Sequence, residues 1–370
     1  DCHGGVYAMK RVLETVLKNG AEIAGPGEFT KRAFLNGRLD LSQAEAVMDV
    51  IQAKNDYALK SSMEQLRGSV QKAIRDIREK LIYHIAYIES ALDDPEHISL
   101  DGYPQELLEV VDKEQQEVKR LLKSSSDGKI IQEGIQTVIL GKPNAGKSSL
   151  LNLLGENRAI VTDIAGTTRD ILEEYITLHG ITLKITDTAG IRETEDIVEK
   201  IGVDKAREMA QKADLILYVV DSSVPLDEND EEIMSMLGGK KAIILYNKTD
   251  LTPVIPLEEL REKTGHPVIP ISAKEETGIM ELEDKVKEMF FGGELSFNDE
   301  VYITNARHKA ALEEADKSLD LVRNSIEMGM PEDFFSIDLM NAYENLGKIL
   351  GESVGEDLVN EIFSKFCMGK

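Results

Sequence analysis

Residues 136–154 read QTVILGKPNAGKSSLLNLL, an apolar run followed by a glycine-rich loop and a leucine-rich segment. The loop at 141–148 matches the phosphate-binding pattern G-x-x-x-x-G-K-S, and the order strand, loop, helix is the context that this pattern requires. Its glycines let backbone N–H groups turn inward around phosphate oxygens. We expect Lys147 to reach the β- and γ-phosphates of a nucleotide and Ser148 to bind Mg²⁺. The expected nucleotide contacts in the loop are Asn144, Ala145, Gly146, Lys147, Ser148 and Ser149.

Short β-rich runs alternate with helical segments around and after this loop. The expected strands are 136–140, 171–178, 181–186, 215–220, 242–246 and 268–271. Such alternation predicts a mostly parallel six-stranded sheet with helices on both faces.

Helical periodicity lies on both sides of the α/β segment, from about residue 39 to 123 and again from 304 to 366, where apolar side chains recur at steps of three and four. Ser42 with Glu45 three residues later predicts a capping box. Residues 124–128, SSSDG, are typical of a linker.

Helices on both sides of an α/β unit predict that the unit is inserted into one all-α bundle. Three separate domains in a row are the alternative, and short connections favour the insertion. The expected segments are 1–36 of mixed character, 37–128 as the first part of the helical domain, 129–293 as the inserted α/β domain and 294–370 as the second helical part.

Charge restricts the partners of the chain. The 370 residues carry a net charge of −25, so the chain on average repels nucleic acid and anionic membranes. RNA contact would need a local basic patch, but charge alone favours solvated helix faces as the explanation of the candidate residues. These candidates are Lys31, Arg32, Arg38, Arg67, Lys72, Arg75 and Arg78.

Other features concern the cellular compartment. No apolar run approaches the ~18 residues of a membrane span, and no secretory signal is visible. Cys2 and Cys367 have neither metal-ligand spacing nor a disulfide framework, which indicates a reducing cytoplasm. The chain begins at Asp1 inside a glycine turn, which suggests that an N-terminal piece is missing.

Two motifs, each after an apolar strand, predict the base. In the first, NKTD at 247–250, the Asp250 carboxylate can accept hydrogen bonds from N1 and N2 of guanine, a donor pair that adenine lacks. Lys248 would lay its stem over the ring. In the second motif, at 272–274, the Ala273 N–H could meet the guanine O6. The expected base contacts are Asn247, Lys248, Asp250, Ser272, Ala273 and Lys274.

Two further loops predict metal binding and nucleotide sensing. Asp187 would join the Mg²⁺ shell, and a glycine N–H three residues later would meet the γ-phosphate. A threonine in the loop at 162–170 can complete the Mg²⁺ shell when the γ-phosphate is present, which would make the loop a switch. We expect this threonine to be Thr168. The expected contacts are Thr162, Asp163, Ile164, Ala165, Gly166, Thr167, Thr168, Asp187, Thr188, Ala189 and Gly190.

Ile191 follows Gly190 at the position where GTPases of the Ras type carry a glutamine that orients the attacking water. An isoleucine side chain cannot hydrogen-bond water, so catalysis must come from elsewhere. Glu199, Arg169 and Arg192 are open candidates, and for each the alternative is a surface charge on a helix.

These motifs and their flanks resemble the MnmE (TrmE) family of tRNA modification GTPases. The resemblance covers nearly the whole chain and rests also on PGEFTKRAFLNGRLDL at 26–41, QAEAV at 43–47 and FCMGK at 366–370. It implies a Ras-like GTPase domain inserted into a helical bundle domain, with residues 1–36 as the remnant of an N-terminal α+β folate-binding domain.

The resemblance also implies partners and a reaction. It implies a homodimer and an FAD-dependent partner, MnmG. Together they would install a carboxymethylaminomethyl or aminomethyl group on C5 of the wobble uridine of certain tRNAs. A tetrahydrofolate derivative would supply the one-carbon unit, and by matching position Arg38 and Lys370 would contact it.

The resemblance accounts for the missing glutamine as well. In this family the GTPase domains pair face to face, and a K⁺ ion beside the β,γ-bridging oxygen takes the place of an arginine finger. Glu199 falls where the family has a glutamate that orients the attacking water through a bridging water. Its K⁺ ligands correspond to Asn144, Thr162, Ile164 and Thr167, and the expected catalytic residues are Lys147, Arg192 and Glu199.

A second hypothesis is an RNA- or ribosome-assembly GTPase that acts as a timer without modification chemistry. Motifs within the GTPase domain cannot separate the two. The folate-type flanks and the Cys-x-Gly-Lys terminus favour modification, because a timer needs neither. Assembly GTPases usually carry a basic RNA-binding appendage, and this sequence has no such segment.

Overall fold

The computed structural model describes residues 4–155, 174–178, 180–186, 201–291, 301–352, 354–364 and 366. For residues 126, 201–205, 356 and 357 it describes the backbone alone. The chain divides into two compact units. Unit 1 comprises 1–51, 62–120 and 307–370, and unit 2 comprises 52–61 and 121–306.

The elements follow one another in chain order. They are α1 (Val6–Lys18), α2 (Glu28–Leu35), α3 (Leu41–Gln52), α4 (Asp56–Leu66), α5 (Ser69–Asp93), α6 (Tyr103–Glu133), β1 (Ile135–Leu140), α7 (Lys147–Gly155), β2 (Glu174–Leu178), β3 (Ile181–Ile185), α8 (Ile201–Lys212), β4 (Leu215–Asp221), α9 (Glu228–Ser235), β5 (Ala242–Asn247), α10 (Leu257–Thr264), β6 (Val268–Pro270), α11 (Ile279–Phe291), α12 (Ala306–Glu327), α13 (Glu332–Leu350) and α14 (Glu356–Ser364).

Unit 2 contains the six-stranded sheet, with strand order β2-β3-β1-β4-β5-β6. Only the β2–β3 pair is antiparallel within the described part of this sheet, and the other neighbours pair in parallel. The predicted mostly parallel six-stranded sheet is therefore confirmed. Because β1, β4, β5 and β6 run in parallel, their carboxyl ends meet at one edge, where loops of an α/β sheet commonly bind ligands.

The sheet is buried on both faces. Every residue of β4 and β5 is buried, which explains the near-continuous apolar runs of these strands. Alternate residues enter different cores: Leu217 and Val219 pack with α7 and α11, while Ile216 and Tyr218 pack against α8, α9 and α10. Because side chains alternate along each strand, every strand contributes apolar residues to the cores on both faces of the sheet.

Residues 52–61 of unit 2 contact the β2–β3 hairpin. The Asn55 Nδ2 donates to the Thr182 hydroxyl at 2.8 Å and to the Ile131 carbonyl at 3.3 Å. The Lys54 ammonium lies 3.6 Å from the centroid of the Tyr175 ring. The contacts with Thr182 and Tyr175 hold the hairpin, which lies in sequence between the two loops expected at 162–170 and 187–190.

Unit 1 joins chain segments from both sides of the sheet-containing insertion. Glu45 on α3 accepts hydrogen bonds from Arg307 at 2.7 and 3.0 Å, and lies 2.8 Å from the His308 Nε2 on α12. Burial opposes ionisation of Glu45, but the contacts with His308 and Arg307 outweigh it and lower its pKa to about 2. One charged cluster therefore connects residues more than 260 positions apart.

The predicted capping box of Ser42 and Glu45 is wrong, because Asp40 precedes the first residue of α3. The Gln43 N–H donates to the Asp40 Oδ1 at 2.9 Å, and the Asp40 N–H donates to the Gln43 Oε1 at 3.1 Å. This reciprocal pair is a capping box two residues earlier. The Glu45 carboxylate therefore takes no part in the cap and instead contacts Arg307 and His308.

The predicted linker at 124–128 is also wrong, because α6 continues without a break to Glu133. The hydroxyls of Ser124 and Ser125 donate to carbonyls one turn earlier at 2.7 and 2.6 Å, so they stay within the helix rather than compete with it. A Cβ on Gly128 would overlap the Ile303 carbonyl oxygen. The glycine thus permits close packing of a neighbouring segment within unit 2.

None of the described helices is long and apolar enough to cross a membrane.

Gly128→Ala should lower the free energy of unfolding by about 1–2 kcal/mol, because an overpacking cost of up to ~3 kcal/mol against Ile303 exceeds the ~1 kcal/mol gain in helix propensity. Urea denaturation followed by circular dichroism measures this difference. Gly238→Ala is the control: a Cβ there has no neighbour within 4 Å, so the change should stay within about 0.5 kcal/mol. A Gly128→Ala variant more stable than wild type would contradict the close packing.

Candidate nucleotide-binding site

The loop between β1 and α7 has left-handed backbone at three positions. Gly141 has φ +152°, Asn144 has φ +61° and Gly146 has φ +101°. A Cβ would overlap the Val219 carbonyl at Gly141 and the Asn247 amide at Gly146, so both glycines are required by the space around them. Asparagine is among the few other residues that tolerate this conformation. The residue types of the phosphate-binding pattern therefore match local backbone requirements.

Lys147 lies at the start of α7 and folds back across the loop. Its ammonium donates to the carbonyls of Gly141 and Lys142, both at 2.7 Å. Burial lowers its pKa. Phosphate oxygens would give the ammonium stronger charge-assisted partners. Ser148 and Ser149 are exposed in the first turn of the same helix, where backbone N–H groups favour an anion.

Lys142 anchors the beginning of the loop. Its ammonium lies 2.6 Å from the Asp230 carboxylate and 3.0 Å from that of Asp227, and the Tyr218 hydroxyl donates to Asp230 at 2.7 Å. Both acids also form the capping box of α9. Burial opposes the charge on Lys142, but these carboxylates raise its pKa. Sequence reasoning missed this anchor, although the D-x-x-D pattern before α9 was a local signal for the acids.

Asn247, at the end of β5, connects the phosphate and base loops. Its Nδ2 donates to the Ala145 carbonyl at 2.8 Å, and its Oδ1 accepts the Ala273 N–H at 3.1 Å. The side chain is buried, with 2% of its surface exposed. The structure thus brings together three regions that the sequence predicted separately.

Asp250 and Ser272 lie together where the sequence predicts contacts with the base. The Ser272 hydroxyl donates to the Asp250 Oδ1 at 2.8 Å, and itself accepts the Glu275 N–H at 3.1 Å. Each carboxylate oxygen has two lone pairs, so a contact with serine leaves Asp250 able to accept from a base. Lys274 is exposed beyond this pair.

Lys248 makes an ion pair that sequence reasoning missed. Its ammonium lies 2.5 Å from the Oδ2 of Asp221, the last residue of β4. No motif marks Asp221 in the sequence, since its partner is 27 positions away.

Several predicted site residues lie outside the described part of the chain. They are Thr162, Asp163, Ile164, Ala165, Gly166, Thr167, Thr168, Asp187, Thr188, Ala189, Gly190, Arg192, Glu199 and Lys370. Arg38 is described and exposed in unit 1, where its N–H donates to the Ala33 carbonyl at 2.9 Å. Among the described residues, no group of three or more His, Cys, Asp or Glu is placed to hold a metal.

The chain is similar in sequence to known tRNA modification GTPases. The family described as "MnmE helical domain" matches residues 41–367, and "GTP-binding protein TrmE N-terminus" matches 1–38. The tRNA modification GTPase MnmE of Lachnoclostridium phytofermentans is 60% identical over 371 residues, covering 100% of this chain and 81% of that protein. The protein of the same name from Geobacillus thermodenitrificans is 49% identical over 373 residues, with the same coverage.

A solved structure also matches part of the chain. The G domain of the FeoB iron transporter from T. maritima is 30% identical, with a TM-score of 0.32, covering 42% of this chain and 97% of that one.

Asp250→Asn should weaken GTP binding at least about 10-fold, because the amide presents an N–H to guanine donors. Xanthosine nucleotides, with an oxygen at C2, should gain affinity. Calorimetric titration with both nucleotides measures the shift. Asp214→Asn is a matched control, since Asp214 caps the opposite end of the sheet by accepting the Gln136 N–H at 3.1 Å. Unchanged GTP affinity in Asp250→Asn would refute the base-reading role.

Proposed function

The chain belongs to the MnmE family of tRNA modification GTPases, and from this premise we propose the chemistry of its reaction. It is a Mg²⁺-dependent, K⁺-stimulated GTP hydrolase. With an FAD-dependent partner of the MnmG type it installs carboxymethylaminomethyl or aminomethyl groups on C5 of the tRNA wobble uridine. The observation that carries the nucleotide part is the buried Asn247 amide, which holds the phosphate loop and the base loop together.

Two properties of the chain follow from its family membership. The chain is a tRNA modification GTPase by family, as the resemblance predicted, and it contains the helical domain of this family. We further propose the division predicted from sequence: 1–36 as the remnant of a folate-binding domain, 37–128 and 294–370 as the helical domain, and 129–293 as the inserted GTPase domain. The return of the chain to unit 1 after unit 2 supports an insertion.

We assign Mg²⁺ to Ser148 and Thr168. Ser148 lies exposed in the first turn of α7 beside Lys147, and its hydroxyl is a hard oxygen donor of the kind that Mg²⁺ prefers. The residue chemistry at this loop therefore fits the ion. When bound, Mg²⁺ neutralises charge on the phosphates.

We assign K⁺ to Asn144, Thr162, Ile164 and Thr167. Among these, Asn144 is described: it is exposed at the tip of the phosphate loop with φ +61°. Its side-chain amide oxygen is a donor that would hold a monovalent cation. When bound, the cation would supply the positive charge that an arginine supplies in other GTPases.

The protein's own catalytic groups in this proposal are Lys147, Arg192 and Glu199. Lys147 holds the phosphates. In the structure its ammonium donates to the carbonyls of Gly141 and Lys142. Glu199 orients the attacking water through a second water, which replaces the glutamine function that Ile191 cannot provide. Arg192 offsets negative charge on the phosphates.

The remaining assignments concern partners. We propose a cytoplasmic homodimer that binds tRNA, and a tetrahydrofolate derivative contacted by Arg38 and Lys370. Exposure of Arg38 is compatible with ligand contact. The alternative of an assembly GTPase that acts only as a timer loses support, because the relatives bear names of tRNA modification enzymes.

GTP hydrolysis should be at least several-fold faster in KCl than in NaCl of equal ionic strength, because a correctly sized cation offsets transition-state charge. Phosphate release under saturating GTP measures the rate. Asn144→Gly keeps the left-handed backbone and its N–H without strain, so this variant should retain GTP binding through the backbone while losing the KCl preference. Equal rates of GTP hydrolysis by the wild type in both salts would contradict the K⁺ assignment.

Cells lacking this protein should lose carboxymethylaminomethyl and aminomethyl uridine from tRNA, as measured by mass spectrometry of digested nucleosides. The wild-type gene should restore these nucleosides, and Lys147→Ala should not, because that variant lacks the phosphate contact. Unaltered nucleosides in the deletion strain would instead favour the timer hypothesis.

A further inference from the structure

We propose that Asp221 is a positioning residue of the guanine site, which holds the Lys248 ammonium so that the aliphatic stem of this lysine covers the base. The inference rests on the base-reading role proposed for residues 247–250. It adds a residue that lies outside every motif identified in the sequence.

The position of Asp221 is fixed by the sheet. It is the last residue of β4 and pairs in register with Asn247, the last residue of β5. Its side chain is buried, and 8% of the residue surface is exposed. Because the two strands end together, Asp221 lies beside the start of the NKTD motif even though nothing in the local sequence indicates it.

Each oxygen of the Asp221 carboxylate has its own partner. The Oδ1 accepts the Ser223 N–H at 3.0 Å and the Ser223 hydroxyl at 2.6 Å. The Oδ2 accepts the Lys248 ammonium at 2.5 Å. Ser223 therefore sets the direction in which the carboxylate faces, and this direction is toward Lys248.

The charge state of Asp221 suits this task. Burial opposes ionisation, but hydrogen bonds from Lys248 and Ser223 outweigh it and lower the pKa of the carboxyl. The carboxylate is thus charged at neutral pH, and the contact with Lys248 is a charge-assisted hydrogen bond.

Two features of Lys248 bear on this role, its uncommon backbone conformation and its flexible side chain. Its backbone has φ +64°, a conformation that few residues other than glycine adopt. Its four-carbon stem is flexible and loses rotamer freedom on binding a base. With the ammonium held by Asp221, part of this ordering is complete before the nucleotide arrives. The side chain keeps 31% of its surface exposed, so the contact with Asp221 does not bury it.

A merely structural role for Asp221 is the competing explanation, since its contacts with Ser223 also stabilise the turn after β4. The two explanations differ in one respect. If Asp221 acts through Lys248, its removal matters only when the Lys248 ammonium is present; if it supports the turn, its removal matters equally in both backgrounds.

The experiment is a double-mutant cycle on GDP affinity, measured by calorimetry with Asp221→Asn, Lys248→Met and the double variant. Methionine keeps an apolar stem and removes the ammonium. We expect Asp221→Asn alone to weaken GDP binding about 10-fold, as for loss of a charged hydrogen bond, and to have no further effect in the Lys248→Met background. In GTP hydrolysis KM should rise with kcat unchanged, because the ion pair lies on the base side.

Glu114→Gln is the control for loss of a buried acid. Glu114 is 1% exposed and pairs with Lys80 at 2.7 Å in unit 1, so this change should lower the melting temperature without altering GDP affinity. If Asp221→Asn fails to fold, Asp221→Ser carries the same cycle. Equal fold-losses in both backgrounds would overturn the positioning role, while a wild type that binds no GDP would instead overturn the proposed guanine site.

Discussion

The proposed nucleotide site depends on two hydrogen bonds made by one buried amide. Asn247 donates to the Ala145 carbonyl in the phosphate loop and accepts the Ala273 N–H in the base loop. A buried amide that loses its partners costs about 1–3 kcal/mol for each unsatisfied group, so both loops are held to this side chain. The same contact explains Gly146, because a Cβ there would overlap the Asn247 amide.

The sheet makes this contact possible. β4 and β5 are apolar along their length and become polar at their last residues, Asp221 and Asn247, which pair in register. A shift of one residue would exchange the two faces of each strand and place its apolar side chains in the wrong core. The cores on both faces therefore fix the register, and the register fixes which polar groups stand side by side at the edge.

The two wrong sequence predictions have different physical origins. The SSSDG segment has the composition of a turn, but its serines bond back to the helix and Gly128 admits the backbone of Ile303. Ser42 and Glu45 have capping-box spacing, but Asp40 and Gln43 form the box. In the first case a neighbour distant in sequence, Ile303, packs on the glycine of the helix, whereas in the second a local capping pattern two residues earlier forms instead.

The sequence by itself determined the nucleotide-binding fold, the order of the loops and the family. Its glycines, its lysine and the order strand, loop, helix are local features, so they can be recognised without knowing the rest of the molecule. The tertiary structure alone decided the pairs Lys142–Asp230, Lys248–Asp221 and Arg307–Glu45. Each joins residues that no local pattern connects, since the distance between them is set by strand order, strand register and helix packing rather than by separation along the chain.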